Sequence, residues 1–424
     1  DQVPLCGEAI LDGDEGILIL NPDEATRDQA RHLAARRARR RRAADRHAVL
    51  PALTLDEVAV SILGNIEFPE EADDCRERGA EGIGLFRSEF LFLNAPTPPD
   101  EEAQFQAYAR VARALEGRPV TIRTLDLGAD KSPVANAGGS LRHRVEELNP
   151  CLGLRSLRRS LRDPEEFKLQ LRAILRAARL GDVRILFPMV TTLSEFRQAR
   201  ALVAEAAEEL RARGEELPDL LPPLGAMIEV PSAALIADKL AREADFLSIG
   251  TNDLVQYTLA VDRANPLVAD LSSGLDPSVL RLITLVVAAA REHGTELTVC
   301  GAMGSDPKSV LILLGLGLRS LSMPPQRVGS IKDLVRRVRL SDLEALANQA
   351  RNLDLATEVE SLLRETLLRD FPENECEGEE ESGETTIASS PASGQCSPPS
   401  ASWSPSSTTR QATTSPPTEA SESP

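Results

Sequence analysis

Short apolar segments rich in Val, Ile and Leu alternate with longer helical segments from Pro51 to about residue 340. Short apolar runs are typical of strands that are buried on both faces, and strands that alternate with helices form parallel βα units. The predicted strands cover residues 58–66, 82–86, 120–125, 183–188, 224–229, 246–249, 297–300 and 320–323. Because eight βα units close a TIM barrel, the pattern predicts an α/β fold of the (β/α)8 type.

Standard start signals precede several of the helices between these strands. Asp163 stands before Pro164 at one predicted helix start, where a capping side chain and a first-turn proline are favoured. The segment from Thr192 to Glu195 forms a capping box for a second helix. Residues 341–371 carry the periodicity of two amphipathic helices, which we expect to close the domain.

Three further segments surround the predicted barrel. Residues 1–21 predict two short strands around an Asp-Gly turn, which is too little chain for a domain and indicates the end of one. Residues 22–50 are rich in Ala and Arg and predict a linker helix, whose Arg run we interpret as a solvated face rather than a patch for an anionic partner. The Glu-, Ser-, Thr- and Pro-rich residues 372–424 predict a disordered tail, so residues 51–371 form the barrel with its closing helices.

Charge and cysteine usage narrow the classes of function. The formal net charge of −18 argues against a nucleic-acid-binding surface, which needs concentrated basic residues. Six cysteines are far apart and form no CxxC pair, which indicates a reducing, cytoplasmic setting. There is no apolar run of about 18 residues and no signal segment, so we expect no membrane insertion.

Two acidic residues follow neighbouring predicted strands, at the positions where TIM barrels carry reactive groups. Glu229 ends the fifth strand and Asp253 follows the sixth. Their carboxylates are expected at one barrel mouth, where a hard divalent ion such as Mg²⁺ binds few protein ligands and completes its shell from water or phosphate. Each residue alone is equally compatible with a helix cap or a structural ion pair.

Several cations are predicted at the same mouth. They are Arg87, Arg123, Lys131 and Arg263. Such a group suits a small phosphate ester with two or three negative charges. The alternative is that these side chains only form ion pairs with Glu89, Asp126 and Asp262.

Cys300 ends the seventh predicted strand. A cysteine in such a place is most often an inert core side chain. If it faces the mouth, its thiol could protonate an enolate carbon beside a bound metal, provided that its pKa lies within reach of neutrality. The four histidines lie on predicted helices or a loop, and none is predicted to act as a catalytic base.

Six segments of this chain occur in the order found in a known family. They read GAEGIGLFRSEFLFL, RTLDLGADK, NPCLGLRSLR, RILFPMV, GAMIEVPSAALIADKLAREADFLSIGTNDLVQYTLAVDRAN and VCGAMGSDP. In these segments the sequence resembles enzyme I of the phosphoenolpyruvate:sugar phosphotransferase system. The resemblance covers residues 1–370, and the run SIGTNDLVQYTLAVDR is its most specific part.

The resemblance implies transfer of the phosphoryl group from phosphoenolpyruvate, through a histidine on a swivelling domain, to a histidine-containing phosphocarrier protein. It implies that residues 1–21 end this phosphohistidine domain and that barrels form a homodimer, which would cover apolar residues of the helix predicted at 278–290. The implied phosphoenolpyruvate contacts are Arg87, Arg123, Lys131, Arg155, Asn252 and Arg263. The implied Mg²⁺ or Mn²⁺ ligands are Glu229 and Asp253, and the implied acid that yields pyruvate is Cys300.

The sequence departs from the family pattern in three places. The Gly-rich Thr-Ser-His acceptor segment is expected before Asp1, so we do not expect the chain alone to complete the reaction. Ala302 stands where the family usually has Glu, and Ala129 stands where a second Gly is usual. Two alternatives remain open, a relative of pyruvate–phosphate dikinase or phosphoenolpyruvate synthase, and a non-catalytic barrel that senses phosphoenolpyruvate.

Overall fold

Eight parallel strands close a barrel, which confirms the TIM barrel predicted from the sequence. The computed structural model describes residues 8–12, 16–46, 48–93, 95, 97–127 and 147–370. The strands are β1 (Ala9–Asp12), β2 (Ile17–Leu20), β3 (Ser61–Ile66), β4 (Ile83–Arg87), β5 (Val120–Arg123), β6 (Val183–Phe187), β7 (Leu224–Ile228), β8 (Phe246–Gly250), β9 (Glu296–Cys300) and β10 (Ser320–Met323). Strands β3 to β10 pair in sequence order, and β10 pairs with β3 to close the ring.

The barrel strands lie within a few residues of their predicted positions, and the largest difference is at β3. This strand begins at Ser61, three residues later than predicted. The preceding chain folds back on itself instead, because Leu53 and Ala59 form an isolated antiparallel bridge. The amide of Val60 donates to the carbonyl of Ala52 over 2.9 Å. Residues 58–60 are as apolar as a barrel strand, but their backbone groups bond with residues 52–54 and not with a neighbouring strand of the barrel.

Helices connect the strands and surround the barrel. They are α1 (Glu24–Arg46), α2 (Glu71–Glu77), α3 (Glu89–Leu93), α4 (Glu101–Ala114), α5 (Ser156–Arg162), α6 (Pro164–Ala177), α7 (Leu193–Ala212), α8 (Pro231–Leu235), α9 (Ala237–Ala241), α10 (Thr251–Leu259), α11 (Pro277–His293), α12 (Pro307–Leu316), α13 (Pro325–Val335), α14 (Leu340–Ala350) and α15 (Ala356–Asp370). The predicted caps are confirmed at Asp163, which accepts from the Glu166 amide, and at the capping box of Thr192 and Glu195. Helices α14 and α15 are the predicted closing pair.

The largest apolar core fills the space between the barrel and its helices. A smaller buried cluster lies apart from it and consists of Leu85, Leu186, Met227, Phe246 and Cys300. Because side chains alternate along a strand, these two clusters take the opposite faces of the barrel wall. The carboxyl ends of the strands lie beyond these clusters, and their side chains meet at the mouth of the barrel.

The apolar residues of α11 are covered within the chain. Val279, Leu280, Ile283 and Val286 are fully buried in the main core. On this helix, the large apolar side chain of Leu285 remains exposed, with 49% of its surface accessible. The apolar residues of this helix, which were expected to need a cover, are therefore covered mainly by the barrel itself. A barrel-to-barrel dimer stays a prediction from the resemblance.

Strands β1 and β2 form the predicted antiparallel hairpin, and ion pairs tie it to α1. Arg37 Nη1 lies 2.9 Å from Asp12 Oδ1, and Arg27 Nη1 lies 3.0 Å from Glu8 Oε2. The hairpin and the helix therefore form one arm. Its identity as the end of a phosphohistidine domain stays a prediction, and residues 372–424, predicted as a disordered tail, lie outside the described residues.

A buried lysine attaches the chain after α1 to the barrel. Lys332 on α13 is 2% exposed, and its Nζ donates to the carbonyls of Leu50 (3.3 Å) and Gly79 (2.7 Å). Arg336 Nη1, one turn further on, also donates to Leu50 O over 3.4 Å. Burial lowers the pKa of the Lys332 ammonium, although the carboxylate of Glu81 opposes this. The two carbonyl partners compensate for part of the loss of water around this charge.

Helices α12 and α14 approach so closely that one position between them admits only glycine. A Cβ atom added at Gly315 would lie 2.1 Å from Leu343 O and 2.9 Å from Ala347 Cβ. Backbone of a packed helix cannot move aside cheaply, so the approach of the two helices depends on the missing side chain.

We therefore predict that Gly315→Ala lowers the free energy of unfolding by about 1–3 kcal/mol through overpacking. A Gly→Ala change inside a helix ordinarily raises stability by up to about 1 kcal/mol, so the predicted sign is the reverse of the usual one. Urea unfolding followed by circular dichroism measures the difference. A variant as stable as the wild type, or more stable, would contradict the close approach.

Candidate functional site

A cavity of about 390 Å³ opens at the carboxyl ends of the barrel strands. Its polar and charged lining residues are Arg87, Glu89, Arg123, Asp126, Arg155, Glu229, Asn252, Asp253, Gln256, Asp262, Arg263 and Cys300. The lining therefore contains every predicted site residue that lies in the described part of the chain. Lys131, the remaining predicted contact, and Ala129 lie outside the described residues.

Arg123, the last residue of β5, is buried between two carboxylates. Its Nη2 donates to Glu89 Oε1, and its Nη1 lies 3.1 Å from Asp126 Oδ2. Burial disfavours the guanidinium, but Glu89 and Asp126 outweigh that effect and raise its pKa. Burial also raises the pKa of Glu89, against the attraction of Arg123. The two carboxylates hold the guanidinium in one orientation. Arg123 therefore forms the ion pairs with Glu89 and Asp126 that the sequence analysis gave as the alternative, and these pairs also position its charge at the mouth.

Arg155 connects this group to the next one. It precedes α5, and its Nη2 lies 3.0 Å from Asp126 Oδ1 while its Nη1 lies 3.7 Å from Asp253 Oδ1. Burial alone would raise the pKa of Asp126, but Arg123 and Arg155 overcome it and lower the pKa to about 2. Arg155 also donates to the Tyr257 hydroxyl over 3.2 Å.

Tyr257 was not predicted as a site residue. Its hydroxyl donates to the carbonyl of Cys151 over 2.5 Å and accepts from Arg155, so it fixes the loop that carries that arginine. The sequence does contain a signal for it, because Tyr257 follows Asp253 by four residues on α10. Residues at that spacing lie on the same face of a helix.

Glu229 directly follows β7, and Asp253 lies in the first turn of α10, which follows the adjacent strand β8. The Met189 amide donates to Glu229 Oε1 over 2.6 Å, and Asp253 Oδ1 is buried without a hydrogen-bond partner. Burial, and then the negative charges of Asp253 and Asp126, raise the pKa of Glu229 to about 8. A buried carboxylate oxygen without a donor, beside a second carboxyl group that resists ionisation, suits the binding of a divalent cation.

The described residues contain no group of three or more His, Cys, Asp or Glu side chains arranged to hold a metal ion. Two carboxylates do not fill the coordination shell of Mg²⁺, which commonly takes one or two from protein and the others from water and phosphate. Glu229 and Asp253 therefore suit a cation that arrives with an anionic ligand.

Three predicted contacts lie nearer to solvent at the rim. Arg87 Nη1 lies 2.8 Å from Glu67 Oε1, and the side chain of Arg263 is 47% exposed with its Nη2 4.0 Å from Asp253 Oδ2. Asn252 Oδ1 accepts from the Ala302 amide over 2.9 Å. The Ala302 side chain is exposed and does not line the cavity, whereas its backbone fixes Asn252.

Cys300 is buried at the end of β9 and lines the cavity. Its sulfur accepts from the Ser248 hydroxyl over 3.4 Å and donates to the carbonyl of Ile249 over 3.5 Å. Burial raises the pKa of the thiol to about 11, well above neutrality. At physiological pH the Cys300 side chain is therefore a neutral thiol, which can act as a proton donor but not as a thiolate nucleophile.

Cys75, Cys151 and Cys300, the cysteines of the described ranges, carry free thiols. None of the helices in those ranges combines the length and apolarity that crossing a bilayer requires.

Comparison with known proteins assigns the family. Residues 41–340 match the family described as PEP-utilising enzyme, PEP-binding domain, where PEP is phosphoenolpyruvate. This match takes in the whole barrel and every site residue named above. The chain belongs to the PEP-utilising enzyme family by its PEP-binding domain.

Named relatives carry consistent descriptions. The phosphoenolpyruvate-protein phosphotransferase of Cupriavidus necator is 45% identical over 341 residues, which cover 80% of this chain and 57% of that protein. The multiphosphoryl transfer protein of Xanthomonas campestris is 45% identical over 84% of this chain and 41% of that protein. The phosphoenolpyruvate-protein phosphotransferase of Listeria monocytogenes is 39% identical over 84% of this chain and 61% of that protein. The chain thus spans about half the length of these relatives.

We predict that Asp126→Asn destabilises the fold by about 3–5 kcal/mol at neutral pH, because it leaves two buried arginines with one carboxylate fewer. The folded-state pKa of about 2 lies below the ordinary 3.8, so the carboxylate stabilises the fold above pH 3.8 and loses this effect as the pH falls toward 2. Urea unfolding of both proteins at several pH values should show their stabilities converging on acidification. Asp182→Asn, at a half-exposed surface carboxylate, is the control and should change little at any pH.

Proposed function

We propose that this barrel binds phosphoenolpyruvate with Mg²⁺ in a phosphoenolpyruvate-protein phosphotransferase. The observation that carries the proposal is one cavity that joins the carboxylates of Glu229 and Asp253, a set of arginines and the Cys300 thiol. Phosphoenolpyruvate carries a phosphate, a carboxylate and an enol carbon, and these three kinds of side chain match them. Relatives named phosphoenolpyruvate-protein phosphotransferase support the same conclusion.

The arginines bind the anionic ends of the substrate. Arg123 is buried and oriented by Glu89 and Asp126, so it meets phosphate oxygens without reorganising when the substrate enters. Arg87 and Arg263 are partly exposed at the rim and can close onto the ligand from outside. Arg155, Lys131 and Asn252 complete the implied set of contacts.

Glu229 and Asp253 would hold Mg²⁺, or Mn²⁺ in its place. The bound ion supplies positive charge that offsets the charge on the phosphate and on the enolate oxygen. Asp253 Oδ1 is the oxygen that lacks a hydrogen bond, and Glu229 is kept in place by the Met189 amide. Glu229 is thus oriented before a cation binds, and Asp253 has an oxygen free to bind one.

Cys300 would supply the proton that completes pyruvate. The bond between phosphorus and the enolate oxygen breaks, and the phosphoryl group passes to a nitrogen of an acceptor histidine. The electron pair left on the enolate forms the carbonyl as the methylene carbon takes the proton of the Cys300 thiol, which becomes a thiolate. A thiol with a pKa of about 11 retains its proton until the strongly basic enolate carbon forms beside it.

Several parts of the proposal rest on the resemblance alone. They are the acceptor histidine outside this sequence, the phosphocarrier protein, a role in sugar uptake, the homodimer, a cytoplasmic location and residues 1–21 as the end of the phosphohistidine domain. A relative of pyruvate–phosphate dikinase is the alternative enzyme, but the relatives named above include none.

We predict that phosphoenolpyruvate binding depends on Mg²⁺ and that Asp253→Asn abolishes this dependence, because the variant removes a charged ligand. Calorimetry with and without excess chelator should show at least a tenfold difference in Kd for the wild type, about 1.4 kcal/mol. The control is Asp262→Asn, which changes a carboxylate in the same cavity wall and should keep the metal dependence. Equal affinity of the wild type under both conditions would contradict the cation site.

Methyl hydrogen exchange of pyruvate tests Cys300 without an acceptor histidine. In D₂O with Mg²⁺, the wild type should exchange the methyl protons of pyruvate, because the thiolate removes a proton and the thiol returns a deuteron. Cys300→Ala should slow this exchange by at least about a hundredfold, as expected for loss of a general acid–base, and leave phosphoenolpyruvate binding intact. Proton NMR measures the rate. Binding without exchange in the wild type would instead favour the non-catalytic sensing barrel.

A further inference from the structure

A second cavity lies inside the barrel, on the other side of Cys300 from the mouth. Its volume is about 310 Å³, and it contacts the first residues of several strands. Hydroxyl side chains line much of it, namely Ser61, Thr121, Ser248, Thr298 and Ser320. We call it the floor cavity. No residue lines both it and the mouth cavity.

Ser248 and Cys300 join the two cavities. Ser248 lines the floor cavity, Cys300 lines the mouth, and the Ser248 hydroxyl donates to Cys300 Sγ over 3.4 Å. Ser248 is 1% exposed and lies at the centre of β8, next to the strand that carries the cysteine. The contact therefore reaches the sulfur from the side away from the substrate.

The thiol hydrogen has a separate partner. Cys300 Sγ donates to the carbonyl of Ile249 over 3.5 Å, so Ser248 and Ile249 together fix the position of the sulfur. When the thiol gives up its proton, the bond to Ile249 is lost because a thiolate has no hydrogen to donate. The bond from Ser248 remains and becomes charge-assisted, which makes it stronger.

The charged groups that face the sulfur oppose one another. Glu229, which directly follows β7, disfavours the thiolate, whereas Arg123 on β5 and Arg87 on β4 favour it from the substrate side. Those arginines are shared with the anionic substrate in the proposed function. Among the described residues, Ser248 is the group that donates a hydrogen bond to this sulfur.

We propose that Ser248 is a positioning residue for Cys300, which orients the thiol toward the mouth and stabilises the thiolate after proton transfer. This inference rests on the proposed role of Cys300. It assigns a function to a residue that does not contact the mouth, and it explains why a hydroxyl occupies the barrel interior beside the sulfur.

Pyruvate methyl exchange as a function of pH tests the proposal. Ser248→Ala should slow the exchange by about tenfold to a hundredfold at neutral pH, the value of a hydrogen bond to a charged group. Exchange requires the thiolate, so the rate should rise with pH in both proteins and the curve of the variant should be displaced to higher pH. Phosphoenolpyruvate affinity should not change. Ser248→Thr keeps the hydroxyl and should restore the wild-type rate.

Thr298→Val is the matched control. It removes a hydroxyl from the same cavity, where Thr298 donates to Ser320 Oγ over 3.0 Å and not to Cys300. This variant should exchange at the wild-type rate. Equal slowing by Thr298→Val, or no slowing by Ser248→Ala, would overturn the assignment to Ser248.

The S–H stretching band of Cys300 tests the contact independently of catalysis. It is obtained as the infrared difference between the wild type and Cys300→Ala. In the Ser248→Ala background the band should move to higher wavenumber, because a sulfur that accepts no hydrogen bond holds its own hydrogen more tightly. An unchanged band in the Ser248→Ala background would overturn the inference. A band that shifts in Ser248→Ala, together with a wild type that exchanges no protons, would refute the proposed function only.

Discussion

The mouth of the barrel is governed by the cost of keeping charges away from water. Glu89, Arg123, Asp126, Arg155 and Asp253 follow one another as alternating charges, each within 4 Å of the next. A buried ion without a partner costs several kcal/mol, so each member of this series depends on its neighbours. Arg263 extends the series at the rim, with its Nη2 4.0 Å from Asp253 Oδ2, and the other carboxylate oxygen of Asp253 has no hydrogen bond. The stability of the barrel mouth and its affinity for a cation with an anionic ligand therefore have the same physical origin.

Much of the fold could be predicted from the sequence, because strands that are buried on both faces appear in it as short continuous apolar runs. The first strand was predicted too long, since residues before Ser61 are apolar but bond among themselves. Placement of Glu229, Asp253 and Cys300 at one mouth needed no more than the rule that carboxyl ends of parallel strands meet. The rule needs only the order of the strands along the chain, so it placed these three residues together without any knowledge of their contacts.

Pairings between distant residues could not be predicted from sequence. Arg155 and Asp126 are separated by a segment whose length gives no indication of their contact, and only the resemblance indicated Arg155. In the sequence, Ser248 is only a small residue within an apolar strand. Its contact with Cys300 Sγ depends on the register of β8 and β9, which the sequence does not show. The raised pKa of Cys300 could not be predicted either, because burial, its main cause, is a property of the assembled barrel.

The bonds from Lys332 and Arg336 to the carbonyl of Leu50 fix the place where the arm of β1, β2 and α1 joins the barrel. Helix α1 has 23 residues, which corresponds to a length of about 35 Å at a rise of roughly 1.5 Å per residue. The hairpin is paired with α1 at Arg27 and Arg37, which lie roughly 28 and 14 Å from the end of the helix at Arg46. A tilt of α1 by about ten degrees would therefore displace the hairpin by roughly 2–5 Å, so the reach of anything joined to the hairpin depends on how α1 packs against α13.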